Sequence, residues 1–351
     1  MRQFQLSQRA ASAVSVWLMV VIVMLMAMIV LGGMTRVTDS GLSITEWKPV
    51  TGAIPPLSEA AWQAEFDKYK QIPEYKLQNT HMDLPDFKAI YWWEWSHRLL
   101  GRAIGLVVLL PLIFFWARGF LSAALKVRLV GLFALGSLQG FMGWWMVSSG
   151  LGGLGDLLDV SPYRLVAHLG LALIILAVSV WTWMDIKFAP KRLNWQMSTT
   201  LATTAWVLLG LVFVQFLLGG FVAGNDGGLV ANTWPLIEGG WMPTTRGDLL
   251  PSWRNWFETP IITQFHHRIG AYLVLAVALF LFWQSKREPQ QELHRAAVLA
   301  VLVILAQVIL GVWTLLAVSP IILALSHQFL ALICFLLVLN IVHAGSKRIV
   351  N

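Results

Sequence analysis

Long runs of apolar residues constrain this chain more than any other feature. The first run, Ala13–Met34, contains no charged residue. Because an α-helix rises 1.5 Å per residue, about 20 apolar residues cross the roughly 30 Å hydrocarbon core of a bilayer. Only 12% of the residues are charged and 57% are hydrophobic, so lipid is the solvent for most of the chain. The chain is therefore predicted to be an all-α integral membrane protein.

Eight such runs are present, and each predicts one transmembrane helix. They cover residues 13–34, 91–116, 129–149, 163–184, 201–223, 260–283, 296–318 and 321–343. The first run is too long for the hydrophobic region of a cleaved signal peptide, so we expect it to be retained. Two long outer segments, 35–90 and 224–259, connect helices on one side of the membrane.

The first outer segment contains a candidate surface helix. Ser58 is a suitable N-cap, and helical spacing places Trp62, Phe66 and Tyr69 on one face. We expect this aromatic face to lie on the lipid surface.

Charged residues are distributed unequally between the two sides. The connections on one side hold about half of the basic residues but only three acidic ones, Asp185, Glu288 and Glu292. Lysine and arginine resist translocation, so this side is predicted to be cytoplasmic, with both termini there and the long segments outside. Membrane topology then accounts for the net charge of +7, and no nucleic-acid partner is predicted. Without a transit-peptide pattern, we expect a bacterial inner membrane.

An internal repeat divides the chain into two halves. The residues that align at one constant offset are Gly32–Gly33 with Gly219–Gly220, Asp39 with Asp226, Gly41–Leu42 with Gly228–Leu229, Trp47 with Trp234, and Gly52 with Gly239. Each half has an even number of helices, so both enter the membrane in the same direction. This predicts two tandem four-helix bundles related by a pseudo-two-fold axis along the membrane normal. The N-terminal half is placed at 1–190 and the C-terminal half at 191–351.

Four of the eight histidines lie near the outer ends of even-numbered helices. They form two repeat-related pairs, His97 with His267 and His168 with His327. An ionisable side chain at this depth costs free energy unless it is partnered, so it is a candidate for function. One alone would be interpreted as a satisfied core residue, but four at matching positions predict metal ligation. The histidines that we expect to be solvated at the membrane surfaces are His81, His294 and His343.

The surroundings of these histidines favour heme. Imidazole binds iron, copper and zinc alike, and the one cysteine, Cys334, excludes a cluster held by several cysteines of this chain. Small residues such as Gly101, one turn after His97, leave room for a flat macrocycle, although they also allow close helix packing in lipid. Outer arginines, among them Arg268, are suited to hold heme propionates, but each could instead extend to water.

Glu94 departs from the repeat, because the matching residue is Gln264. It lies one turn before His97, so its carboxylate would face whatever that histidine binds. The two halves are therefore expected to differ chemically. The alternative is that Glu94 simply pairs with Arg98 four residues later.

We assign different hemes to the two halves. Two histidines on different helices supply both axial positions of a six-coordinate heme, which carries electrons but has no open site. We therefore predict that His267 and His327 ligate a permanently bound heme b. His97 and His168 would then face a heme bound as substrate in the N-terminal half.

Seven stretches along the chain carry a family resemblance. They are Gly32–Arg36, Gly41–Pro49, Glu94–Arg102, Gln139–Trp144, Ala167–His168, Gln264–Arg268 and Ser326–Gln328. Together they resemble the heme A synthase family over nearly the whole chain. The outer segments have no cysteine, which is similar to the proteobacterial and mitochondrial branch of that family.

This resemblance implies an oxidoreductase that converts a methyl group of heme O to a formyl group, by successive hydroxylations and dehydration, giving heme A for terminal oxidases. The residues implied to act at the substrate are Glu94, His97 and His168. The residues implied to bind the cofactor, heme b, are His267, His327 and Arg268. Glu94 would accept a proton or stabilise positive charge. The implied partners are heme O, a heme O synthase that supplies it, and an electron donor.

Two other functions are compatible with parts of the sequence. A diheme membrane cytochrome b-type carrier of electrons from quinol would use all four histidines equivalently. The difference between Glu94 and Gln264 counts against this carrier. A transporter would also have parallel repeats and polar groups inside the membrane.

Overall fold

The computed structural model describes residues 4, 6–153, 158–188 and 197–345. Within these ranges, eight helices are long and apolar enough to cross a membrane, as predicted. They are α1 (Gln8–Val37), α2 (Leu84–Ala117), α3 (Ala123–Ser148), α4 (Pro162–Lys187), α5 (Thr199–Gly224), α6 (Pro260–Ser285), α7 (Gln291–Leu316) and α8 (Ile321–Gly345). The all-α membrane fold is thereby confirmed.

The helices begin at recognisable sequence signals. The side chains of Ser7, Ser122 and Ser198 accept backbone hydrogen bonds in the first turns of α1, α3 and α5. α4 and α6 begin with proline, whose missing N–H is not needed in a first turn. Asp83 and Asp86 form a reciprocal capping box at the start of α2. This box starts α2 well before its apolar run, so the helix extends into the outer segment.

Both halves have the same order of neighbouring helices. In each half, consecutive helices pack together and the first helix also contacts the last. The centre of the molecule is formed by α1, α4, α5 and α8, where Leu173, Leu176, Leu208 and Val338 are fully buried. This arrangement agrees with two tandem bundles, whereas the symmetry axis stays a prediction. The predicted boundary at residue 190 lies outside the described residues.

Two polar contacts connect the halves through α1. The Gln328 side chain of α8 donates a hydrogen bond of 2.9 Å to the carbonyl of Ile29. Its amide lies against Gly33, where an added Cβ would collide with the glutamine oxygen. Nearer the outer surface, Arg36 pairs with Asp226 of the other half at 2.9 Å. The halves are thus joined along the outer part of α1.

The first outer segment covers the outer end of the N-terminal half. Its helix Glu59–Tyr69 is capped by Ser58, as predicted. The aromatic face of this helix, which is buried, consists of Trp62, Phe66 and Tyr69. Phe66 stacks on Phe87 at 5.0 Å, and Trp62 packs edge-on against Tyr91 at 4.9 Å. The expectation of a lipid-facing surface is therefore wrong, because these rings pack against Phe87 and Tyr91 of α2.

Candidate functional site

The four membrane histidines lie at one end of the two bundles. His168, His267 and His327 occupy the first two turns of α4, α6 and α8, and His97 lies in the fourth turn of α2, which starts early. All four side chains are half-buried. Each half thus contributes one pair, on the side of the outer segments.

Each of these imidazoles lies against a glycine of the preceding odd-numbered helix. The distances from an added Cβ to the nearest ring atom are 3.2 Å for Gly32 and His97, 3.0 Å for Gly143 and His168, 3.2 Å for Gly219 and His267, and 2.7 Å for Gly311 and His327. All four are shorter than ordinary van der Waals contacts. A larger residue at these positions would therefore displace the ring, so the glycines define where the imidazoles sit.

Three histidines are also held by a glutamine, one turn before the glycine on the same helix. The amide nitrogens of Gln139, Gln215 and Gln307 donate to the backbone carbonyls of His168, His267 and His327 at 3.0, 2.8 and 3.0 Å. The same nitrogens lie 3.0 to 3.3 Å from a ring nitrogen. Each glutamine therefore contacts both the backbone and the ring of its histidine.

The His267 and His327 rings are close enough to hold one metal ion between them. Their centroids are 6.2 Å apart. Since metal–imidazole bonds measure about 2 Å, this separation accommodates one metal ion between the two rings. A metal-bound imidazole donates its other N–H to an acceptor. Within the described residues, the side-chain oxygens of Gln215 and Gln307 are buried without a hydrogen-bond partner, whereas their amide nitrogens lie at the two rings.

Glu94 is buried, with 3% of its surface exposed, and both of its carboxylate oxygens are occupied. One oxygen accepts from the Ser43 hydroxyl and the Ile44 N–H, each at 2.7 Å. The other accepts from two nitrogens of Arg98, at 2.6 and 3.0 Å. The carboxylate thus ties the first outer segment to α2. The pairing with Arg98, which was the alternative to a functional role, is present, whereas the contacts with Ser43 and Ile44 were not expected.

Gln264, which matches Glu94 in the repeat, binds the second outer segment by donating hydrogen bonds instead of accepting them. Its amide nitrogen donates to the carbonyls of Gly227 and Val230, at 2.8 and 2.6 Å. Its oxygen accepts from Arg268 at 2.6 Å. Glu94 faces donors of its segment and Gln264 faces acceptors. The halves therefore differ chemically at this position, as predicted, although both residues tether a loop.

Arginines further along the same helices also donate hydrogen bonds to the two outer segments. Arg98 donates to the carbonyls of Ile44 and Glu46, and Arg102 to those of Lys48 and Pro49. In the other half, Arg268 donates to the carbonyls of Ala231 and Leu236. Among the buried polar atoms without a partner in the described residues are Arg102 Nη1 and Arg268 Nε. A propionate at either arginine would therefore meet a nitrogen with a free N–H.

A buried carboxyl group lies in the cover over the N-terminal half. Glu74 accepts a hydrogen bond of 2.6 Å from the Tyr69 hydroxyl, and 3% of its surface is exposed. Burial raises the pKa of Glu74 to about 7. Glu74 was not among the predicted site residues.

The three histidines that were expected to be solvated follow that expectation only in part. His81 is exposed. His294 is half-buried and lies 2.9 Å from the Ser285 hydroxyl. His343 is fully buried, with its Nε2 3.1 Å from the Asp185 carboxylate, so the expectation for this residue is wrong. Asp185 also pairs with Arg128 at 2.6 Å, so these three charged or polar groups form a buried cluster at the inner end.

The glutamines were the main residues that sequence reasoning missed. A signal for them exists, because Gln139, Gln215 and Gln307 each precede a glycine by four residues, on three of the four odd-numbered helices. This spacing places glutamine and glycine on one helix face. The histidine that they contact lies on the next helix, and the spacing alone does not show that pairing.

The comparisons with known proteins agree in assigning a family. The model of the COX15-CtaA family, described as cytochrome oxidase assembly protein, matches residues 15–339. A protein of Maricaulis maris named heme A synthase is 49% identical over 94% of this chain and 95% of its own. Proteins of the same name from Parvibaculum lavamentivorans and Paracoccus denitrificans are 46% and 48% identical, over 95% of this chain and 95% and 88% of theirs. The chain therefore belongs to the COX15-CtaA family of cytochrome oxidase assembly proteins.

Proposed function

We propose that this protein is a heme A synthase, an oxidoreductase that converts the methyl group of heme O to the formyl group of heme A. The observation that carries the proposal is the set of four imidazoles, each seated on a glycine, in two pairs at one end of a membrane bundle. Relatives of that name are 46–49% identical over nearly the whole chain, which supports the same activity here.

The C-terminal half, 191–351, is proposed to hold heme b as the cofactor. His267 and His327 would hold its iron, since their rings leave room for one metal ion. Arg268 would offer its remaining N–H to a propionate. Heme b held there would supply electron transfer.

The N-terminal half, 1–190, is proposed to bind heme O between His97 and His168. Glu94 completes this site, and four hydrogen bonds join its two carboxylate oxygens to the first outer segment and to Arg98. We therefore assign Glu94 a positioning role. It holds the first outer segment over the site.

The proposed setting is a bacterial inner membrane with both termini in the cytoplasm and the heme sites toward the outer face. The basic residues of the inner connections support this orientation. A heme O synthase would deliver the substrate, and a separate electron donor would complete the reaction. Both partners are proposals from the chemistry of the reaction.

Extraction and chromatography of the hemes from the purified protein tests this function. The wild type is expected to carry heme b together with heme O or heme A. His267→Ala should lose heme b, because one axial ligand is gone, whereas His97→Ala should keep heme b and form no heme A. His294→Ala, at the inner end of α7, is the control and should retain all hemes.

Two outcomes would replace the proposal. Two equivalents of heme b and no other heme in the wild type, with one lost in each variant, would indicate the diheme quinol carrier. Purified protein without any heme would indicate the transporter.

A further inference from the structure

One histidine of the four is held differently from the others. The repeat aligns Met28 with Gln215, so α1 carries methionine where a glutamine stands on each of the other three odd-numbered helices. The pairs with the common four-residue spacing are Met28–Gly32, Gln139–Gly143, Gln215–Gly219 and Gln307–Gly311. His97, the histidine opposite Gly32, is therefore the one without a glutamine.

The His97 ring is also oriented differently. Gly32 faces its Nε2 edge, at 3.2 Å from an added Cβ, whereas the glycines at the other three histidines face the Cε1 atom. Within the described part of the chain, no side chain forms a hydrogen bond with the His97 ring. The Met28 methyl group instead lies beside Gly101, one turn further along α2, at 3.5 Å from an added Cβ.

Methionine fills about the same space as glutamine but cannot replace its hydrogen bonds. A thioether has no N–H to donate to a backbone carbonyl, and it accepts hydrogen bonds only weakly. Each glutamine fixes the backbone of its histidine through the carbonyl hydrogen bond and lies against the ring, and loss of such outer contacts to a metal-ligating histidine typically lowers metal affinity by 10–100-fold. The ring of His97 is therefore the freest of the four.

We propose that Met28 makes His97 the exchangeable ligand of the heme bound in the N-terminal half. The inference rests on the proposed function, which requires one heme to be retained and another to turn over. The retained heme b has a glutamine at both histidines, Gln215 and Gln307. The substrate heme has one at His168 only. The heme that must be retained thus has two glutamines at its histidines, and the heme that must be exchanged has one.

Heme transfer from the purified full-length protein to excess apomyoglobin tests this inference. The transferred hemes are identified by chromatography, so the two sites are followed separately. Met28→Gln is expected to slow the release of heme O or heme A about tenfold, and Gln215→Met to speed the release of heme b about tenfold. Met28→Leu, which is apolar and of similar size, is the matched control and should release heme at the wild-type rate.

An unchanged release rate in Met28→Gln would overturn the inference, and so would equal slowing in Met28→Gln and Met28→Leu, since packing would then be the cause. If Met28→Gln does not accumulate in the membrane, Gln215→Met decides alone, and retention of heme b in it counts against the inference. A wild-type protein without bound heme would instead contradict the proposed function.

Discussion

At the scale of single residues, Glu94 shows how one buried group serves two segments. Its carboxylate receives two hydrogen bonds from the first outer segment and two from Arg98. Charged acceptors form stronger hydrogen bonds than neutral ones, by roughly a factor of two. Glu94 therefore fixes both the segment and the arginine in relation to His97, which lies one turn away on the same helix.

Glu94→Gln is expected to abolish most heme A formation, with heme O accumulating. An amide has only one oxygen, so its nitrogen must face a donor from Ser43, Ile44 or Arg98. Leaving such a buried group unpaired costs about 1–3 kcal/mol. We expect the yield of heme A to fall at least tenfold and the Ile44 amide to exchange faster in hydrogen–deuterium exchange.

The two measurements separate a positioning role from proton transfer. Loss of heme A with an unchanged Ile44 amide would indicate that Glu94 acts as a proton acceptor after all. An unchanged yield of heme A would exclude both roles. Gln78→Glu, at an exposed position of the outer segment, is the control for a change between carboxylate and amide.

At the scale of elements, each outer segment is fastened to one helix. The first segment meets α2 through Glu94, Arg98 and Arg102, which together bind backbone atoms from Ile44 to Pro49. Because the partners are backbone groups, the fastening depends on the path of the segment more than on its side chains. The segment is therefore held in one position over the N-terminal site.

Arg102→Ala is expected to loosen the part of the first outer segment that follows Lys48 and Pro49. The guanidinium binds the carbonyls of Lys48 and Pro49, both at 2.8 Å. Its loss should raise the exchange rates of the Gly52 and Ala53 amides about tenfold, since hydrogen bonds to charged groups contribute about 1.5–3 kcal/mol. Hydrogen–deuterium exchange measures this, with Arg118→Ala at the other end of α2 as the control. Equal exchange in both variants would contradict the proposed fastening.

The spanning helices were predictable because an uncharged run of about 20 residues depends only on local composition. The four histidines were predictable because the repeat places them at matching depths. The loop contacts were not, since Ser43 and Glu94 are distant in sequence and no local pattern pairs them. The aromatic face of Glu59–Tyr69 was recognised, but its partner Phe87 lies in another part of the chain, so the face was assigned to lipid.

At the scale of the whole molecule, α1 belongs to both halves. It packs against α2 and α4 of its own half and against α8 of the other. Gln328 needs the space that Gly33 provides in order to reach the Ile29 carbonyl. The close approach of α1 and α8 therefore depends on a glycine and a glutamine together.

Gly33→Ala is expected to displace the Gln328 amide and break its hydrogen bond to Ile29. The cost should be about 1 kcal/mol, as for Gln328→Ala, because both remove the same bond. The double variant should then be no less stable than either single one, which thermal melting in detergent can measure. Gly210→Ala, where an added Cβ meets nothing within 4 Å, is the control. Additive losses in the double variant would contradict this coupling.

The opposite polarity of the two loop tethers limits how the halves can diverge or revert over evolutionary time. An amide at Glu94 would meet the donors of Ser43 and Ile44, and a carboxylate at Gln264 would meet two carbonyl oxygens. Either point mutation passes through a protein with an unpaired buried group. Conversion of one half into the other thus requires simultaneous changes in the helix and in the loop. Single substitutions therefore leave the two halves distinct.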